Sequence, residues 1–75
     1  MTGTERTNED RCETAYRTVM VYAQYSGEEH DVETNIIDLM ADLLHLCDQY
    51  GLEQSYVTDM ALAHYDSEMK EAVSA

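Results

Sequence analysis

Asp31-Val32-Glu33-Thr34-Asn35-Ile36-Ile37-Asp38-Leu39-Met40-Ala41-Asp42-Leu43-Leu44-His45-Leu46-Cys47-Asp48-Gln49-Tyr50-Gly51 is the longest and most apolar periodic stretch of a 75-residue chain. Ile36, Ile37, Met40, Leu43, Leu44 and Cys47 recur at steps of three and four. That spacing gathers side chains on the buried face of an amphipathic helix. Asp31 supplies an N-cap, and Gly51 can take the left-handed conformation that ends a helix. The stretch therefore predicts a central helix over 32–50, with the segments on either side packed against it.

Upstream, Thr7 or Asn8 caps a first helix over 8–25, and Glu9 and Asp10 fall in its first turn, where negative charge suits the helix dipole. Its inward stripe reads Cys12, Ala15, Tyr16, Val19, Met20 and Ala23, widened by Val21, Tyr22 and Tyr25. Gly27 stops it within the turn at 26–30. Residues 1–7 are polar and read as a flexible tail. Downstream of Gly51, Leu52 is placed to fold back on the preceding turn. A third helix over 53–71 then turns Tyr56, Val57, Met60, Ala61 and His64 inward. The chain has no proline, and no segment alternates at period two. The expected fold is all-α, a single small three-helix domain over 8–75.

Sixteen acids against four bases give a formal net charge of −12. Such a charge keeps a protein soluble, opposes compaction and repels phosphate backbones, which are bound mainly through Lys and Arg. Between Arg17 and Lys70 there is no Lys or Arg. Direct nucleic-acid binding is therefore not expected, and a cationic protein surface is the natural partner. No apolar run has the length of a signal peptide core or of a membrane span, so the expected setting is the cytoplasm, away from membranes. A chain this short rarely draws more than about 3–5 kcal/mol from one core, so a homodimer is expected. Cys12 and Cys47 read as packed core thiols at similar heights in an antiparallel hairpin.

Four constellations bear on function. Cys47, Gly51 and Val57 fall at the small, turn-glycine and apolar positions of a helix-turn-helix. The third helix, however, carries Glu53, Asp59, Asp66, Glu68 and Glu71 against Lys70 alone, which opposes entry into a DNA groove. Asn35, Asp38, Asp42, His45 and Gln49 share one face of the central helix, where Asp38, Asp42 and His45 could converge on a divalent cation. A solvated or partner-facing stripe has the same pattern, and one helix alone supplies few ligands. The acids from Glu28 to Asp48 advance along the turn and helix with a charge spacing comparable to, though sparser than, a phosphate strand. Finally, all six aromatic residues are tyrosines, whose hydroxyls favour rim or interface positions. No Ser or Cys nucleophile stands at a readable spacing from His30, His45 or His64, so catalytic residues and cofactors are not expected.

Ala41-Asp42-Leu43-Leu44-His45-Leu46 with Gly51-Leu52 resembles a helix of the all-α nucleotide pyrophosphohydrolases of the MazG type. That resemblance implies magnesium held by carboxylate pairs, but the matching glutamate position holds Leu39 if Asp42 is aligned and Asn35 if Asp38 is. Residues 32 to 68 resemble short uncharacterised proteins of phages and other mobile elements. In size, charge and helicity the chain is also similar to the acidic inhibitors with which phages block restriction or CRISPR nucleases. Together these imply an interaction protein and not an enzyme. Its carboxylate face, Glu29, Glu33, Asp38, Asp42 and Asp48, is expected to dock on the basic surface of a nuclease or CRISPR effector and exclude its nucleic acid. The alternatives are a metal- or nucleotide-binding MazG-like protein and a structural dimer or regulatory subunit.

Overall fold

In the computed structural model, which describes residues 6–27 and 31–74, the helices are α1 (Asn8–Ser26), α2 (Val32–Gln49) and α3 (Gln54–Ser74). No strand occurs among the described residues, and the fold is all-α with three helices, as the periodicity requires. Most of the expected tail lies outside the described residues.

Local chemistry sets each boundary. Thr7 caps α1: its hydroxyl accepts from the Asp10 N–H at 3.1 Å, and its own N–H donates to Asp10 Oδ2 at 3.1 Å. This reciprocal capping box satisfies two donors that a helix start leaves open. The Arg11 guanidinium donates to the Arg6 carbonyl at 2.8 Å and to Asn8 Oδ1 at 3.1 Å, tying down the approach to the helix. Gly27, at φ 76°, ends α1 in the left-handed conformation.

The Asp31 carbonyl accepts the first helical bond of α2 from the Asn35 N–H at 3.0 Å, which places Asp31 at the N-cap position. At the other end Gly51 has φ 69°. The Leu52 N–H donates to the Cys47 carbonyl at 2.8 Å and the Gly51 N–H to the Asp48 carbonyl at 3.2 Å. These two bonds make the Schellman motif, so Leu52 folds back through its backbone while its side chain stays exposed. The Glu53 carbonyl then accepts from the Val57 N–H at 3.1 Å and opens α3.

Contacts divide the chain into two compact units, Met1–Met40 and Ala41–Ala75, with the division inside α2. In the first unit Val19 and Ala23, one turn apart on α1, are buried, and on α2 Asn35 is only 3% exposed. Thr34, Asp38 and Leu39 are half-buried there. Among the described residues no buried side-chain nitrogen or oxygen lacks a hydrogen-bond partner, so the Asn35 amide is satisfied. In the second unit Cys47 is buried and Leu44 half-buried. There the Gln54 amide donates to Asp48 Oδ1 at 2.7 Å and to the Leu44 carbonyl at 3.4 Å. Of the side chains described on α3, none is fully buried.

The expected inward faces are corrected by this burial. Ile36, Ile37, Met40 and Leu43 are exposed on α2, as are Cys12, Ala15, Tyr16 and Met20 on α1, and Tyr56, Val57, Met60, Ala61 and His64 on α3. Asn35, read as part of a solvated stripe, is buried instead. Cover is scarce: among the described residues only Val19, Ala23, Asn35 and Cys47 are buried. Cys47 is buried as expected, but Cys12 is exposed, so it is not the packed core thiol expected.

Candidate protein-binding surface

α2 carries Glu33, Asp38, Asp42 and Asp48 and neither Lys nor Arg. Asp38 and Asp42 lie one turn apart on the same side, Asp38 half-buried and Asp42 exposed. The other two point elsewhere. At about 100° per residue, Glu33 stands about 180° and Asp48 about 120° around the helix from Asp42. The acids therefore wrap around α2 and do not line one side. Asp48 is also engaged within the chain by the Gln54 amide. Glu29 lies outside the described residues.

Two of the four cations of the chain, Arg11 and Arg17, are engaged on α1. Arg11 holds the helix start, and Arg17 pairs with Glu13 one turn away, both side chains largely exposed. An exposed pair of this kind contributes little to stability. A shallow, open depression on α1 is lined by Asp10, Glu13, Thr14 and Arg17. These four share one side of a single helix, which gives a polar furrow without enclosing walls. The Thr7 backbone N–H, and after it the Thr7 side chain, hold the Asp10 carboxyl below the ordinary 3.8.

Among the described residues no three His, Cys, Asp or Glu side chains come together in a group able to hold a metal ion. The convergence of Asp38, Asp42 and His45 considered from the sequence is not formed. At the corner between α2 and α3, Cys47 is buried and Gly51 is left-handed, but Val57, read as the apolar position of a helix-turn-helix, is exposed. α3 also carries Asp59, Asp66, Glu68 and Glu71 against Lys70 alone, which opposes entry into a DNA groove. None of the described helices is long and apolar enough to cross a membrane.

No family model, curated protein or solved structure matches this chain.

The surface that sequence reasoning missed is apolar. Ile37, Met40, Leu43 and Leu46 on α2 and Tyr56 and Leu62 on α3 are all exposed. A signal for it was present in the sequence. Ile37 and Leu46 stand about 180° apart on α2, so one neighbouring helix cannot cover both. Tyr16, Tyr25, Tyr50, Tyr56 and Tyr65 are exposed as well, Tyr25 at 88%. This agrees with reading tyrosine as a rim residue in so small a fold.

Proposed function

We propose that this protein is a small binding module, working as a homodimer in the cytoplasm, that inhibits a nucleic-acid-handling protein by covering its basic surface. The observation that carries this reading is the charge of α2, four carboxylates and no Lys or Arg along one continuous helix, with Asp42 exposed and Asp38 beside it. Such a helix repels phosphate and attracts the Lys- and Arg-rich channel that phosphate would occupy. Nucleases of restriction or CRISPR systems are the partner class with the fitting surface, in keeping with the resemblance to acidic phage inhibitors. Asp38 and Asp42 are the central contacts, with Glu33 and Asp48 engaging a partner that reaches around the helix.

The test is capture from a cell extract with the tagged chain as bait, at low and high salt, with mass spectrometry of the retained proteins. A nucleic-acid-binding protein retained at low salt and released at high salt is the expected result. Asp42→Lys combined with Asp38→Lys should weaken that capture by at least about tenfold while helicity is kept. Capture indifferent to salt and to both substitutions would remove the electrostatic reading.

A further inference from the structure

We draw no further inference here: the strongest candidate, the exposed apolar stripe of Leu62, Tyr65 and Met69 on α3 in the second unit, carries none because nothing in the structure shows what covers it.

Discussion

Thr7 and Asp10 show how two exposed side chains fix a helix start. The carboxyl of Asp10 is held below 3.8 by the Thr7 backbone N–H and then by the Thr7 side chain. A folded-state acidity below the unfolded one gives a contribution that is complete above about pH 3.8 and is lost as pH falls through the lowered value. The start of α1 should therefore loosen in acid. An NMR titration should give Asp10 a midpoint below 3.8, returning toward it in Thr7→Ala, a substitution that costs about 1 kcal/mol in helix stability. The two thiols should separate as cleanly. Exposed Cys12 should react with a thiol reagent at once, and buried Cys47 only as the chain opens, giving one fast equivalent per chain. Asn35 gives a third expectation at this scale. Its side chain is buried with no unmet polar atom, so Asn35→Ala should lower stability by about 1–3 kcal/mol in chemical denaturation, by removing a buried hydrogen-bonding group.

The limits of the helices were legible because their causes are local. Thr7, Gly27, Asp31 and Gly51 act on backbone groups within five residues of themselves, and all four boundaries fall within a residue or two of where those residues put them. Gly51 tests this directly. Nothing lies within 4 Å of where a Cβ would stand, so Gly51→Ala meets only the backbone strain of φ 69°. That should cost about 1–2 kcal/mol, read as a lower denaturation midpoint with an unchanged slope. The inner face was not legible, because Ile36 and Cys47 obey the same period although one is exposed and the other buried. Period reports what a helix offers for burial, and the neighbours decide what is taken. The same limit applied to the acids: spacing grouped Asp38 with Asp42 correctly, but the grouping of Glu33 and Asp48 with them came from order along the chain and not from angle around the helix.

At the scale of the molecule, the buried apolar residues, Val19 and Ala23 in the first unit and Cys47 in the second, are few beside the apolar side chains left exposed. Burial of a large apolar side chain contributes about 1.5–3 kcal/mol, so most of the available stabilisation is unrealised in one chain. The melting temperature should accordingly rise with protein concentration, as it does when folding and association are linked, and calorimetry over a hundredfold range of concentration would show it. A midpoint independent of concentration would mean that the single chain is stable as it stands. The excess of negative charge then has a second role, colloidal rather than recognitive. It is the repulsion at −12 that holds molecules with so much exposed leucine, methionine and tyrosine apart in neutral solution. Near the isoelectric point of about 4.2 that repulsion vanishes while the apolar surface remains. The protein should be freely soluble at pH 7 and turbid close to pH 4, clearing again on either side.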